Sequence, residues 1–321
     1  MSTQLIVPSS EVALPALIER AGKRTLLRFA EFFTVHISNS NTRQAYARAL
    51  KNFLSWCEQR GVTDIASVQP LHVASYGEML RQEGYSVPTV KQHLAAIREL
   101  FDWLVEGHIL ELNPASSVKG PRYSISKGLT PVLDCEEARL LLESIDVSHV
   151  VGLRDRALIG LLTFTFARVS AAVGMNVEDY YSRGKRWRVR LHEKNGKIID
   201  AACHHKLEQY IDDYLQAAGI AEDKQGPLFR AAKGRTRMLT AHAMTRVDAW
   251  LMVRRRTEDA GIGGRIGCHT FRATGITAYL KNGGTIDRAQ KLAGHASSKT
   301  TALYDRRDDE ISIEEVERIA I

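Results

Sequence analysis

Five features in the second half of the chain carry residue types that can act on a phosphate. Arg168 lies in the apolar stretch RDRALIGLLTFTFARVSAAVGM, where a guanidinium is costly unless it is paired or aimed at an anion. Lys194 precedes Asn195-Gly196 in HEKNGK, a strong two-residue hairpin signal, so it is expected at the tip of a β-turn. HTFR sets His269 and Arg272 at i and i+3, on one face of a helix, where both can reach the same phosphate. GHASSKTTALYDRR then places His295 nine positions before Tyr304. Each feature alone has a plainer reading. Arg168 fits a buried salt bridge, Lys194 a solvated loop, and H-x-x-R arises by chance. Tyr304 is one of ten tyrosines, most of which pack with a wet hydroxyl.

The elements that must position these residues divide the chain in two. In NTRQAYARALKNFLSWCEQRG, Tyr46, Leu50, Phe53, Leu54 and Cys57 form one helical stripe that ends at Gly61. In TVKQHLAAIRELFDWLVEGH, Val90, Leu94, Ile97, Phe101 and Leu104 form a second. Arg43, Arg48, Lys91 and Gln92 lie off these stripes and are candidate DNA contacts, with a plain solvated face as the alternative. A small helical domain is therefore expected over 20–113, after an N-terminal extension over 1–19. PASSVKGPRYSISKG holds two prolines, four serines, Lys119 and Arg122. It reads as a basic linker, 114–128, that could close around a duplex.

Beyond the linker, a second domain is expected over 129–310 and a short tail helix over 311–321. DCEEARLLLESI reads as a helix, and the segment around Arg168 as a central helix that this arginine interrupts. RWRVRLH alternates like a strand and returns through IIDAAC; helices resume near His205 and again from Ala241 to Asp259. The fold class is mainly α with a small antiparallel sheet (α+β).

Composition agrees with a polyanionic partner. The 321 residues carry a net charge of +7, and from Lys224 to Arg272 there are 11 Lys and Arg against 3 Asp and Glu. Arg235, Arg237 and Arg246 in that stretch are further candidate DNA contacts. Cys57, Cys135, Cys203 and Cys268 form no C-x-x-C pair and fit a reducing, cytoplasmic compartment, nucleoid-associated if the source is bacterial. No apolar run reaches the ~18 residues of a membrane span. His204-His205 lacks a third ligand at useful spacing, so no metal is expected. GIGGRIG misses the last glycine of a dinucleotide fingerprint, and no phosphate-binding G-x-x-x-x-G-K-[ST] loop is present. No cofactor is expected.

Taken in order, A-R-V-S, the turn lysine, H-x-x-R, G-H and a tyrosine nine residues on resemble the signature of the tyrosine recombinase, or phage-integrase, family. The resemblance implies a helical core-binding domain followed by a catalytic domain. Its catalytic set would be Arg168, Lys194, His269, Arg272, His295 and Tyr304. Because a free tyrosine keeps its proton to about pH 10, the nucleophile needs cations or a base beside it. Tyr304 would attack a DNA phosphodiester to give a 3′-phosphotyrosine and a free 5′-hydroxyl. Arg168 and Arg272 would hold the nonbridging oxygens in place of a metal ion. Lys194 would protonate the leaving 5′-oxygen, and His269 and His295 would orient or exchange protons.

The resemblance also implies double-stranded DNA as partner, and a synaptic tetramer in which C-terminal segments are shared between protomers. Two departures stand out. Ala171 occupies the place, three residues after Arg168, where many relatives have an acid, which leaves the orientation of Arg168 open. Ala273 follows Arg272 where a basic residue is frequent. The alternatives are a type IB topoisomerase-like nicking and resealing enzyme, and a DNA-binding protein of the same fold that has lost activity. A metal-dependent transposase is disfavoured, because no well-spaced acidic triad stands out.

Overall fold

The structure is a computed structural model that describes residues 15–124, 128–193 and 196–305. The chain forms two compact units, residues 1–124 and 125–321.

The first unit is helical: α1 (Ala16–Arg20), α2 (Lys23–Glu31), α3 (Ser40–Gln59), α4 (Pro70–Gln82) and α5 (Val87–Glu106). The Asn39 side chain accepts from the Asn41 and Thr42 amides and starts α3; Ser86 caps α5, with a proline in its first turn. The α5 stripe Val90, Leu94, Ile97, Phe101 and Leu104 is buried throughout, against Leu50, Phe53, Leu54 and Cys57 of α3. Tyr46, expected on the same stripe, is only half-buried at its edge. Tyr76 of α4 and His93 of α5 are buried polar groups that satisfy one another, Oη to Nδ1 at 2.9 Å.

The stretch read as an exposed linker is packed at its start. Asn113 accepts from the Ala115 amide at 2.7 Å and donates to Asp102, which turns the chain back onto α5. Ala115 is buried, and Arg98 holds the Val118 carbonyl at 2.9 Å. Prolines and serines made this segment look solvated, but Ala115 and Val118 pack onto the helical core.

The second unit is built on α7 (Val150–Phe164), which packs between α9 (His205–Ala218) and α11 (Cys268–Lys281), with α6 (Cys135–Ser144) alongside. Gly275 lets α11 approach: a Cβ there would sit 2.0 Å from the Thr163 carbonyl oxygen and against the Phe166 ring. One expectation fails here. The apolar run does not continue as one helix; α7 ends at Phe164, Phe166 takes a positive φ of 56°, and α8 (Val169–Val173) starts anew. Arg168 is in extended conformation as the N-cap residue of α8, not inside a helix. Apolar periodicity cannot register such a break, because residues on both sides of it are buried.

β1 (Tyr180–Arg183), β2 (Arg186–His192) and β3 (Ile198–Ala202) form an antiparallel sheet in sequential order. β1 was not expected from the sequence. His192 pairs with Ile198, and the Glu193 amide donates to the Lys197 carbonyl at 2.7 Å, which closes the hairpin. Gly196 supplies the left-handed residue that such a turn uses, at φ 72°. β4 (Arg230–Ala232) and β5 (Leu239–Ala243) add a second hairpin. Its return strand takes Ala241–Ala243, which were expected to be helical; α10 (Arg246–Asp259) begins only after Thr245, whose side chain forms a capping box with Asp248. α12 (Ile286–Ala293) and α13 (Ser298–Ala302) complete the described residues. The expected tail helix over 311–321 lies outside them.

Candidate active site

Three elements and two chain breaks deliver the site. α11 carries His269 and Arg272 one turn apart, and Arg272 points into the protein, 1% exposed. Its Nη1 donates to the Phe166 carbonyl, and its Nη2 donates to the Ala293 carbonyl at 2.6 Å. Both acceptors sit where a helix has ended, so their carbonyls lack intrahelical partners. The positive φ at Phe166 turns its carbonyl toward α11 and places Arg168 two residues later. Nε of Arg272 is buried with no partner among the described residues.

Tyr304 follows α13 and is 8% exposed, in a small apolar cluster with Phe166, Ala273, Ile276, Leu280, Ala289 and Ala293. Thr277 of α11 donates to the Tyr304 carbonyl at 2.8 Å and so fixes its backbone. The phenol oxygen lies 2.5 Å from Nε2 of His269. With the phenol donating, His269 accepts on Nε2 and keeps its own proton on Nδ1. The His295 ring stacks on Tyr304 at 5.7 Å between centroids and 11° between planes. Its Nδ1 pairs at 2.9 Å with the hydroxyl of Thr301, which is fully buried. Gly294, left-handed at φ 61°, ends α12 and turns His295 inward.

The electrostatics are those of a cationic hollow. Burial first, then the charges of Arg272 and Arg168, push His295 down to about 4. The same causes in the same order lower His269. Both rings are therefore neutral near pH 7, and both can accept a proton. Arg272 is itself pushed down to about 10, by burial and then by Arg168. Two guanidiniums beside a phenol, with the Glu193 carboxylate as their near counter-charge, favour an anion there, and a phosphate is one that guanidinium donors hold well.

Arg168, His269, Arg272, His295 and Tyr304 are thus brought together. Lys194 lies outside the described residues, although its hairpin reaches the site: Nζ of Lys197 donates to the Gly294 carbonyl at 3.2 Å. Sequence reading missed four contributors. Glu193 accepts from Nη1 of Arg168 at 2.6 Å; Thr277 and Thr301 hold Tyr304 and His295; the Phe166 carbonyl holds Arg272. Only Glu193 left a trace in the sequence, through its place beside the turn lysine.

The candidate DNA contacts fall in both units, Arg43 to Arg122 in the first and Arg235, Arg237 and Arg246 in the second. Arg48, Lys91, Lys119, Arg122, Arg235 and Arg237 are exposed, Arg246 is exposed in the first turn of α10, and Gln92 is half-buried. Arg43 differs, because its guanidinium grips the Ile37 carbonyl at 2.9 and 3.2 Å and braces the turn into α3. His204 stacks on Phe164 at 4.5 Å and caps α9, which is a packing role. No helix among the described residues is long and apolar enough to cross a membrane.

Residues 131–310 match the family described as the phage integrase family, and residues 24–108 match the phage integrase N-terminal SAM-like domain. A tyrosine recombinase XerD of Corynebacterium glutamicum is 29% identical over 277 residues, covering 83% of this chain and 87% of that protein. The XerD of Mycobacterium leprae is also 29% identical, with 83% and 86% covered. Among solved structures, the fold is similar to the XerH site-specific recombinase bound to a palindromic difH substrate after cleavage, with TM-score 0.72, 20% identity and 96% and 97% of the two chains covered. It is also similar to a lambda integrase tetramer bound to a Holliday junction, with TM-score 0.66, 16% identity and 90% and 79% covered.

Proposed function

The chain belongs to the phage integrase family, and from that premise we propose that it is a site-specific DNA recombinase that breaks and rejoins strands through a 3′-phosphotyrosine at Tyr304. The observation that carries this reading is the 2.5 Å contact between the Tyr304 phenol and a neutral His269, beside the Arg168–Arg272 hollow. A scissile phosphate entering the hollow is held through its nonbridging oxygens by Arg168 and by the free Nε of Arg272. His269 takes the phenol proton as the Tyr304 oxygen bonds to phosphorus, and the 5′-oxygen departs with a proton from Lys194. His295, neutral and stacked on the ring, keeps the phenol in line. The phosphotyrosine conserves the energy of the broken bond, so a 5′-hydroxyl of another strand reverses the step without ATP.

The helical unit binds duplex DNA together with the catalytic unit, and 114–128 marks the junction between them. Four protomers synapse two sites. A reducing cytoplasm, at the nucleoid of a bacterial cell, suits this work. The inactive alternative would require a lost catalytic group, and the described groups are intact.

The test is a suicide duplex whose cleaved end diffuses away. Wild-type protein should accumulate a denaturant-resistant DNA adduct in the presence of a chelator, and Tyr304→Phe should form none while retaining DNA binding. An adduct on the Phe variant, or a strict need for a divalent ion in cleavage, would refute the reading. Lys194→Ala should cleave slowly and recover when the bridging 5′-oxygen is replaced by sulfur, a leaving group that needs no proton.

A further inference from the structure

Arg168 needs an anchor, since a guanidinium on a flexible stem clamps a phosphate well only if its plane is set beforehand. Its own helix provides none. α8 is VSAAV, without a charged residue, and Ala171 is buried among apolar side chains. The anchor comes from the end of β2 instead. Nη1 of Arg168 donates to Oε2 of Glu193 at 2.6 Å, and the Glu193 side chain is 4% exposed where that of Arg168 is 37% exposed. The carboxylate therefore lies behind the guanidinium, on the protein side, and the open edge of the guanidinium faces solvent. A carboxylate occupying the phosphate's own place would be on that open side, so this contact is not a block on the site.

A second observation concerns the other oxygen. Oε1 of Glu193 is buried with no partner among the described residues. Burying a carboxylate oxygen without a donor is costly, and native proteins keep such groups where they serve a purpose. Here it can accept a second N–H of Arg168 when the guanidinium turns fully onto the carboxylate, in the paired-fork geometry that fixes a guanidinium plane.

We propose that Glu193 is the positioning residue for Arg168: it sets the guanidinium from the strand side, in place of an acid on α8, so that the remaining donors meet the phosphate. Its negative charge also reaches Arg272, where it opposes the repulsion from Arg168. This rests on the recombinase reading, and it concerns only how one of the two clamping arginines is held.

The experiment is a double-mutant cycle on single-turnover cleavage of the suicide duplex, with Glu193→Gln, Glu193→Ala, Arg168→Ala and the combined variants, each with its melting temperature and DNA affinity. Glu193→Gln keeps the shape and removes the charge; it should slow cleavage about tenfold, and Glu193→Ala about a hundredfold, the scale of a mispositioned catalytic group. Melting temperature and affinity should stay near wild type for Glu193→Gln. In the Arg168→Ala background neither Glu193 change should slow cleavage further, because the group it positions is gone. Wild-type rates in both Glu193 variants would overturn the proposal, as would an equal slowing with and without Arg168. Failure of the wild-type protein itself to form an adduct would instead refute the recombinase reading.

Discussion

Two clusters of arginines in the second unit are made from the same residue types and end in opposite states. Around Asp155, which is fully buried, both carboxylate oxygens are met by guanidinium donors. Arg154 reaches Oδ1 through Nε at 3.0 Å and Nη2 at 2.5 Å, and Arg256 reaches Oδ2 through Nε at 3.1 Å and Nη2 at 2.8 Å. Arg255 approaches the same oxygen at 3.4 Å, and the last donor of Arg154 holds the Arg230 carbonyl at 2.7 Å. Around Tyr304, Arg168 and Arg272 repel each other, Nε of Arg272 has no partner among the described residues, and two histidines are held neutral by burial first and then by the two arginines. The first cluster is closed and ties α7 to α10. The second sets one carboxylate, Glu193, against two guanidiniums around the phenol, and that open arrangement equips it to bind a further anion. Buried charge by itself does not mark a function; incomplete pairing of buried charge does.

The contrast would break if removing charge from the open cluster harmed the fold more than the chemistry. Arg168→Ala should reduce single-turnover cleavage by about a hundredfold to a thousandfold, the cost of a lost transition-state donor. Circular dichroism should show an unchanged helical content. A variant that cleaves normally but melts early would place Arg168 among the structural arginines.

The closed cluster should give the reverse. Asp155→Ala takes away the carboxylate that Arg154, Arg255 and Arg256 share, and removing one partner of a buried ion pair destabilises by about 3–5 kcal/mol. Urea unfolding should register that loss, while cleavage per folded molecule stays near wild type. A large rate defect at full folding would mean that the Asp155 cluster feeds the site.

A smaller effect sharpens the comparison at the joint that brings α11 to α7. Gly275→Ala forces a methyl against the Thr163 carbonyl and the Phe166 ring, an overpacking expected to cost about 1–3 kcal/mol. It should also slow cleavage, since Phe166 carries the carbonyl that holds Arg272. Stability measured by thermal melting and cleavage by adduct formation should fall together.

The smallest expected effect is a pH slope. His295 is held at about 4, below its ordinary 6.5, so the unfolded chain binds its proton more readily than the folded one. The stability it contributes is complete above about pH 6.5 and is lost as pH falls toward 4. His269, lowered as well, acts in the same direction. His295→Asn should remove a pH dependence of about one proton from unfolding midpoints across that window. An unchanged slope would show that the ring is not enclosed by the cationic hollow.

Much of the molecule was legible in the sequence. The stripes of α3 and α5 declared the helical core, since burial of one helix face leaves a period that composition preserves. The strand alternation of RWRVRLH and the turn at Gly196 declared the hairpin, and H-x-x-R placed His269 and Arg272 on one helical face. Those are local consequences of backbone geometry, and the order of the motifs carried the family resemblance that implied phosphate chemistry.

Tertiary structure alone decided the rest. The break between α7 and α8 lies within a run that is apolar on all sides, so no periodicity reveals that Arg168 caps a helix rather than sitting in one. The partnership of Arg168 with Glu193 spans 25 positions and two element types, and α8 gives no hint of it. The difference between the Asp155 arginines and the Tyr304 arginines is likewise absent from the sequence, because the partners that answer them lie far along the chain. Whether a buried cation is answered or left waiting depends on which carbonyls and carboxylates the packing brings within about 3 Å, a distance only the folded chain sets.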